Sequence, residues 1–301
     1  MLDDIGIVDA HMHLIDVENN PYPWLAPDAN RPKIFGPHEE RLMHNYLIGD
    51  FKHDIAGHNV VKSVHLQANW DHDDPLGETQ WLRPISEAYG YPHGVVGFAN
   101  LALDNVEAVL EGHLQSPNMR GIRHILNWHK TDSSKSFVDR NYMAEPGWRR
   151  GFALLEPKGL SFDMQIYHNQ MSDALDLARS FPGTTIVLNH TGMPIDRTPH
   201  DLAEWATGMT MLAQAPNVFV KISGLGLNNP NWTVEGIRPI VLRTIDIFGI
   251  DRCLFASDFP VDKLFSSYDT LLKAFDDITA DFSSSERASF FRLNAERVYR
   301  I

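Results

Sequence analysis

The chain has 301 residues, of which 43% are hydrophobic, 22% charged and 10% aromatic, a composition typical of a folded globular protein with a large core and not of a disordered one. A formal net charge of −13 disfavours nucleic acid and anionic membranes as partners, because both attract clustered Lys and Arg. Cys253 is the only cysteine, no apolar run is long enough to span a bilayer, and the first residues lack the features of a secretory signal. We therefore expect a cytoplasmic protein.

Eight short, mainly apolar segments recur along the chain, and stretches with helical periodicity separate them. Such segments are typical of parallel strands that are covered on both faces. Asp104 and the serines from Ser283 to Ser285 each precede a helical stretch and are predicted to cap it. The alternation, without a repeat or a linker, predicts an α/β protein that forms one (β/α)8 TIM barrel over residues 1–301. The predicted strands are 5–10, 60–68, 94–101, 120–126, 160–166, 185–189, 218–223 and 252–257.

Long polar segments follow the first, fourth and seventh predicted strands, at residues 14–50, 127–145 and 224–232. A barrel carries its chemistry in the loops that follow its strands, so these segments indicate the functional face. Segment 127–145 is rich in Ser, Asp and Lys. It is interpreted either as a mobile lid or as an insertion without a catalytic role.

Two histidines stand at the end of the first predicted strand, in the sequence Asp9-Ala10-His11-Met12-His13. Because side chains alternate along a strand, His11 and His13 are expected to point the same way, with Asp9 one layer deeper. Two converging imidazoles are suited to bind zinc or a similar divalent ion. Asp9 is a candidate to orient a ligand histidine.

Two further polar residues end strands at the same predicted face. His190 follows the sixth strand, and Asp258 follows the eighth. A carboxylate that emerges from an apolar strand needs a ligand or a hydrogen-bonding partner, although a helix N-cap is a competing role for Asp258. Because strand ends of one barrel meet at one mouth, these residues together with the first-strand histidines predict a shared functional site.

These residues belong to longer motifs that resemble the amidohydrolase superfamily, and within it the amidohydrolase-2 group, which includes sugar-lactone and aromatic-pathway lactone hydrolases. The sequence departs from the commoner lactonase pattern at Asn189 and Thr191, so the substrate subgroup stays open. The matching segments span the chain at 7–14, 22–25, 121–124, 187–194, 221–225, 257–260 and 294–299.

The resemblance implies a site in which Asp258 is the proton shuttle and His168, just after the fifth strand, is a further metal ligand. No lysine suited to a bridging carbamate stands at the end of the fourth strand, where His124 and Asn127 are found, so a binuclear centre is disfavoured. The residues that frame the reacting carbonyl in such a site are His11, His13, His190 and Asp258, and the predicted metal ligands are these four together with His168.

Other polar residues near strand ends are candidates to bind a polar, anionic or polyhydroxylated substrate. Arg123 offers a planar fork suited to a carboxylate, although Arg123 and Lys221 are alternatively expected to pair with interior acids such as Asp163. Flat rings such as Trp24 suit stacking on a substrate ring, or loop packing. The predicted substrate-binding residues are Arg123, Gln67, Asn69, Lys221, Trp24 and Tyr167.

The leading hypothesis is a hydrolase that opens a lactone, a cyclic ester, with one divalent metal ion, zinc for preference, and with Asp258 and His190 as catalytic residues. A metal-free version, in which the histidines hydrogen-bond the carbonyl, stays open. The alternatives are a nonoxidative decarboxylase of an aromatic carboxylate and a barrel that binds its ligand without catalysis. The sequence leaves the oligomeric state open, and a homo-oligomer is compatible with it.

Overall fold

The computed structural model describes residues 4–27, 29–30, 34–36 and 38–301. Eight strands form one parallel sheet in which each strand pairs with the next along the chain. This arrangement is the predicted (β/α)8 barrel, and each predicted strand overlaps an observed one. The strands are β1 (Ile7–Met12), β2 (Val60–Leu66), β3 (Gly94–Phe98), β4 (Met119–Ile125), β5 (Ser161–Gln165), β6 (Ile186–Leu188), β7 (Val218–Ile222) and β8 (Cys253–Phe255).

The barrel closes between β1 and the segment that follows β8. Met12 bridges Phe259 in parallel, the N–H of Asp258 donates to the carbonyl of His11 over 2.8 Å, and the N–H of His13 donates to the carbonyl of Phe259 over 2.7 Å. The closing hydrogen bonds therefore involve the same residues that were predicted to form the site. Part of the long segment predicted at 14–50, namely residues 28, 31–33 and 37, lies outside the described residues.

Helices alternate with the strands, and no helix among the described residues is long and apolar enough to cross a membrane. Ser283 caps its helix as predicted, accepting a hydrogen bond from the N–H of Glu286. The predicted cap at Asp104 is wrong: Asn105 holds that position without a side-chain bond, and the carbonyl of Leu103 accepts from the N–H of Val106 instead. The helices are α1 (Ile48–Asp54), α2 (Gly77–Tyr89), α3 (Val106–His113), α4 (Pro146–Phe152), α5 (Met171–Ser180), α6 (Pro199–Leu212), α7 (Val234–Phe248), α8 (Tyr268–Ile278), α9 (Ser284–Ala288) and α10 (Asn294–Tyr299).

The barrel interior is filled by small aliphatic side chains and closed at its base by α10. Val8 on β1, Val96 on β3 and Val187 on β6 belong to one buried cluster with Tyr299 of α10. Side chains from strands on different sides of a barrel contact one another only across the barrel interior. The floor is therefore packed and rigid, which leaves the opposite, carboxyl end of the strands for the site.

Candidate active site

The side chains of His11, His13 and Asp258 converge at the carboxyl end of β1 and β8. The two Nε2 atoms of the histidines are 3.2 Å apart, and Oδ1 of Asp258 lies 3.3 Å from Nε2 of His11 and 3.5 Å from Nε2 of His13. All three residues are buried. The prediction that these three side chains meet is therefore realised in the geometry as a nearly equilateral triangle of donor atoms.

The partners of the two imidazoles indicate that the Nε2 atoms of both His11 and His13 are unprotonated. Nδ1 of His13 lies 2.7 Å from the carbonyl of Leu66, and because a carbonyl only accepts, Nδ1 carries the proton. Nε2 of His11 lies 3.3 Å from NH1 of Arg123, which only donates, so this Nε2 is also unprotonated. Burial lowers the pKa of both histidines well below the usual value, and neighbouring cationic groups add to the effect.

The triangle has the dimensions that a tetrahedral metal ion requires. Ligand atoms at about 2.0–2.1 Å from a tetrahedral Zn²⁺ are about 3.3–3.4 Å from one another, which matches the three observed edges. Two neutral imidazoles and a carboxylate are also the donor types that such an ion prefers. Among the described residues, these three form the one group that could hold a metal ion, and the predicted ligands His168 and His190 do not belong to it.

Asp9 holds the backbone of this site and does not contact an imidazole ring. Its Oδ1 accepts the N–H groups of His11 (3.2 Å) and Ser257 (3.0 Å), and its Oδ2 accepts from the hydroxyl of Tyr268 on α8. The expectation that Asp9 points the same way as His11 is wrong. The pairing of β1 with β2 shifts register between Asp9 and Met12, and such an irregularity interrupts the alternation of side chains.

His190 completes the group from the end of β6. Its Nδ1 lies 3.0 Å from Oγ of Ser223 and 3.8 Å from Oδ2 of Asp258, and burial lowers its pKa well below the usual value. The backbone from His190 to Met193 stays in the left-handed region, with φ between +49° and +67°. Backbone strain of this kind costs free energy and is often found at functional sites; here it directs His190 towards Asp258.

Asp258 is surrounded by groups that oppose each other in their effect on its charge. Burial raises the pKa of Asp258 well above its ordinary value, and the nearby carboxylate of Asp262 raises it further. Arg123 and Lys221 act in the other direction, because their positive charges favour the carboxylate. The group is therefore suited to gain and lose a proton.

Arg123 lies within the site, on the inward-facing side of β4. Its NH1 is 3.3 Å from Oε1 of Gln165 as well as from His11, and its NH2 donates to the carbonyl of Gln67. Burial lowers the pKa of Arg123 to about 10, still well above neutrality. A fixed positive charge thus stands beside the triangle, where it can stabilise a carboxylate or a developing oxyanion.

A narrow inner cavity of about 50 Å³ opens onto these groups. His13, Arg123, His190 and Asp258 line it together with the predicted substrate-binding residues Asn69 and Trp24. Trp24 is held by a hydrogen bond from its indole N–H to the carbonyl of Ala68. We call this space the inner cavity. Apart from the charged and polar residues named above, its wall is mostly apolar. Few water molecules are therefore expected near the triangle.

Five predicted site residues do not line the inner cavity, namely His11, Gln67, Lys221, Tyr167 and His168. His11 contributes its Nε2 to the triangle, and the side-chain oxygen of Gln67 accepts from the N–H of Asn69 over 2.6 Å. Lys221 is fully buried below it, with Nζ 2.6 Å from Oδ1 of Asp163, which is the alternative role the sequence left open. The hydroxyl of Tyr167 donates to the carbonyl of Lys135. His168 is partly exposed in a short 3-10 helix, with Nε2 4.0 Å from a carboxylate oxygen of Glu204, away from the triangle.

Gln165 and Ser223 are site residues that the sequence reasoning missed. Gln165 ends β5 two residues after Asp163, so the alternation of strand side chains places both on the inward-facing side. Ser223 directly follows β7 and contacts His190. Applying the alternation of side chains along a strand at every strand end would have found Gln165. The role of Ser223 depends instead on the turn that follows β7, which the sequence does not predict.

Segment 127–145, predicted as a lid or an insertion, covers the cavity. Phe137 lines the inner cavity, and its N–H donates to the carbonyl of Asn127. Nζ of Lys135 lies 2.7 Å from Oδ2 of Asp196, which fastens the segment to the loop after β6. This ion pair joins the segment to the far side of the cavity mouth, and movement of the segment remains a prediction.

Comparisons with known proteins extend over nearly the whole chain. The model of the amidohydrolase family Amidohydro_2 matches residues 8–301. An uncharacterized protein of Sinorhizobium fredii, y4mH, is 48% identical over the whole of both chains. An L-fucono-1,5-lactonase of Burkholderia multivorans is 27% identical, with 98% of this chain and 96% of the relative covered.

Solved structures share the fold. A crystal structure of an amidohydrolase from Burkholderia multivorans with bound Zn superimposes with a TM-score of 0.82 and 23% identity, covering 98% of this chain and 99% of the other. At this identity the likeness establishes the barrel and its strand order. The match extends over the strands that carry the triangle, because nearly all of both chains is covered.

Proposed function

The chain belongs to the amidohydrolase family, and from this premise we propose that it hydrolyses a lactone at the inner cavity. The observation that carries the proposal is the convergence of two imidazole lone pairs and the Asp258 carboxylate within 3.2–3.5 Å of one another, beside the fixed positive charge of Arg123. This arrangement suits activation of water next to an ester carbonyl. The similarity to L-fucono-1,5-lactonases supports a sugar lactone as the substrate type.

We assign the binding of a divalent ion, zinc for preference, to His11, His13 and Oδ1 of Asp258. When bound, the ion would supply Lewis acidity towards the ester carbonyl. The remaining oxygen of Asp258, Oδ2, faces His190 over 3.8 Å. That oxygen is left to take a proton from the attacking water and to return it to the alkoxide that leaves when the ring opens.

Arg123 and His190 have separate roles in this proposal. The guanidinium of Arg123 is fixed by Gln165 and by the carbonyl of Gln67, so its charge is preorganised to stabilise the oxyanion that forms at the carbonyl. His190, held by Ser223, stands at the opposite oxygen of Asp258 and orients it. The apolar remainder of the inner cavity limits water at the reacting atoms, which strengthens these interactions.

A hydrolysis screen tests the proposal directly. Aldono-1,4- and 1,5-lactones, including L-fucono-1,5-lactone, are followed by acid release with a pH indicator, and the metal content is measured on the same sample. Turnover of at least one lactone above the spontaneous rate, lost in Asp258→Asn, is the expected result. Carbon dioxide release from hydroxybenzoates without lactone hydrolysis would replace the proposal by decarboxylation.

A further inference from the structure

A second and much larger cavity adjoins the inner one. It has a volume of about 710 Å³ and shares Trp24, Asn69, Ile125 and Phe137 with the inner cavity as a common wall. We call it the outer chamber. Sites for small molecules typically measure about 300–1,000 Å³, a range that includes the outer chamber and excludes the inner cavity of about 50 Å³. Most of the substrate is therefore expected to lie in the outer chamber.

Aromatic rings form flat surfaces in this chamber. The ring of His72 stacks on Phe98, with centroids 3.9 Å apart and planes 11° from parallel. Tyr142 and Trp24 add further rings to the wall. Such surfaces suit the apolar faces of a sugar or another ring, and they combine apolar contact area with polar edges.

His124 presents an unpartnered donor in the same wall. Its residue is only 6% exposed, and its Nδ1 accepts a hydrogen bond from the indole N–H of Trp148 over 3.2 Å. Burial lowers the pKa of His124 to about 3, so the ring is neutral and carries its single proton on Nε2. This N–H has no partner among the residues that the structure describes. Because His124 lies in the chamber wall, this N–H is available to donate to a ligand.

Carboxylates are the charged groups in the described wall of the outer chamber. Asp71, Asp73 and Asp139 belong to its wall, and among the described wall residues there is no Lys or Arg. Carboxylates accept hydrogen bonds from hydroxyl groups and repel other carboxylates. The side chains of Asn69 and Asn100 supply both donors and acceptors. The aromatic faces, carboxylates and amides of the described wall are suited to a neutral ring with several hydroxyl groups.

We propose that the outer chamber is a subsite for an uncharged, polyhydroxylated ring that is joined to the lactone, so that the substrate is a glycosylated lactone and not a single ring. This inference rests on the proposed lactonase function of the inner cavity. The reacting ester enters the inner cavity past the shared wall, and the attached sugar remains outside it. There His124 donates to a hydroxyl oxygen and the Asp side chains accept from hydroxyl groups.

The test compares single-ring lactones with their glycosylated counterparts. Glucono-1,5-lactone is compared with cellobiono-1,5-lactone and gentiobiono-1,5-lactone, which carry a second glucose at different positions. We expect kcat/KM to be about tenfold higher for at least one disaccharide lactone, mainly through a lower KM, because a few hydrogen bonds and a stacked ring contribute about this much.

Variants at two exposed leucines provide the matched comparison. Leu103 is 51% exposed and belongs to the outer chamber, whereas Leu114, 39% exposed, ends α3 outside it. Leu103→Trp narrows the chamber and is expected to bring the ratio of disaccharide to single-ring kcat/KM towards one. Leu114→Trp adds the same side chain elsewhere and is expected to leave the ratio as in the unaltered protein.

The outcomes separate this inference from the proposed function. If single-ring lactones are hydrolysed and no disaccharide lactone is preferred, the subsite is refuted and the lactonase proposal stands. If no lactone of either size is hydrolysed, the lactonase proposal fails, and the subsite is judged by calorimetric titration with cellobiitol and glucitol, which cannot react. Tighter binding of cellobiitol, weakened in Leu103→Trp, supports the subsite; equal or absent binding refutes it.

Discussion

Gly224 lies so close to His190 that a methyl group on its α-carbon would stand 2.8 Å from the imidazole Nδ1. Gly224 has a φ of +63°, which glycine adopts without strain, and the preceding Ser223 contacts the same Nδ1 over 3.0 Å. The turn after β7 therefore fixes His190 from two sides. Its position beside Asp258 depends on the absence of a side chain at residue 224.

The variant Gly224→Ala tests this dependence. The added methyl group displaces His190, so we expect kcat/KM for the best lactone to fall at least about tenfold and the free energy of unfolding to fall by more than the cost of left-handed backbone alone, about 1–2 kcal/mol. Gly57→Ala is the control, because Gly57 has a φ of +84° and nothing within 4 Å of the added carbon. Equal losses in both variants would contradict the contact.

Replacement of Asp258 by asparagine tests the proton transfer. Asn keeps the size of the side chain and cannot accept a proton at neutral pH, so we expect kcat to fall by about 10²–10⁴-fold while the protein stays folded. Thermal unfolding followed by circular dichroism checks the fold. Asp281→Asn, at an exposed position after α8, is the control and should retain full activity. Retention of activity in Asp258→Asn would remove this residue from the mechanism.

Much of the fold and the core of the site were predictable because both follow local rules. Short apolar segments alternating with helical ones predict the barrel, and the two-residue spacing of His11 and His13 places both rings on one side. Asp9 escaped the same rule because the register of β1 is irregular at that point. Such an irregularity arises from the pairing of strands and leaves no clear mark in a single sequence.

The roles of Arg123 and Lys221 could not be separated from the sequence. Both are cations on inward-facing strand positions, yet Arg123 faces the inner cavity and Lys221 pairs with Asp163 below it. Asp163 is the backbone neighbour of Arg123 in the sheet. Side-chain layers inside a barrel, however, are built from alternate strands, so the side chain of Asp163 on β5 meets that of Lys221 on β7.

That the whole chain, residues 1–301, forms one domain stays a prediction.

Titration with zinc tests the metal triangle and the predicted ligand His168 together. We expect one Zn²⁺ per chain by calorimetry after removal of metal with a chelator. His13→Asn should weaken zinc binding at least about 100-fold. Loss of a residue that only hydrogen-bonds to a metal ligand already lowers metal affinity by about 10–100-fold, and loss of a ligand itself should cost at least as much. His168→Asn is the matched comparison: unchanged affinity would exclude His168 as a ligand, and a loss equal to that of His13→Asn would place it in the site.

The buried pair of Lys221 and Asp163 predicts a stability effect that depends on pH. Oδ1 of Asp163 accepts from Lys221 and from the hydroxyl of Tyr299, and burial lowers the pKa of Lys221 to about 8 despite this carboxylate. Asp163→Asn leaves the ammonium without a counter-charge, so we expect a loss of about 3–5 kcal/mol at pH 7 by urea unfolding. Without the carboxylate, the pKa of Lys221 in the folded variant should fall further, so we expect the folded variant to hold Lys221 without its proton at pH 7. In the unfolded variant Lys221 keeps this proton up to about pH 10.4.

The sign of the pH dependence follows from the proton count. Because the unfolded variant binds one more proton than the folded variant, its free energy of unfolding rises with pH. Between pH 7 and 8 the free energy of unfolding of Asp163→Asn should rise by about 1.4 kcal/mol. That of the unaltered protein should rise by about 0.3–0.4 kcal/mol, because its folded chain begins to lose the Lys221 proton in this range. The deficit of the variant should therefore shrink by about 1 kcal/mol. The double variant Lys221→Met with Asp163→Asn has no such proton and should show a smaller deficit at pH 7. That deficit should grow by only about 0.3–0.4 kcal/mol up to pH 8, because the unaltered protein alone still titrates Lys221. A deficit in Asp163→Asn that is independent of pH would mean that the fold accommodates the Lys221 charge by another route.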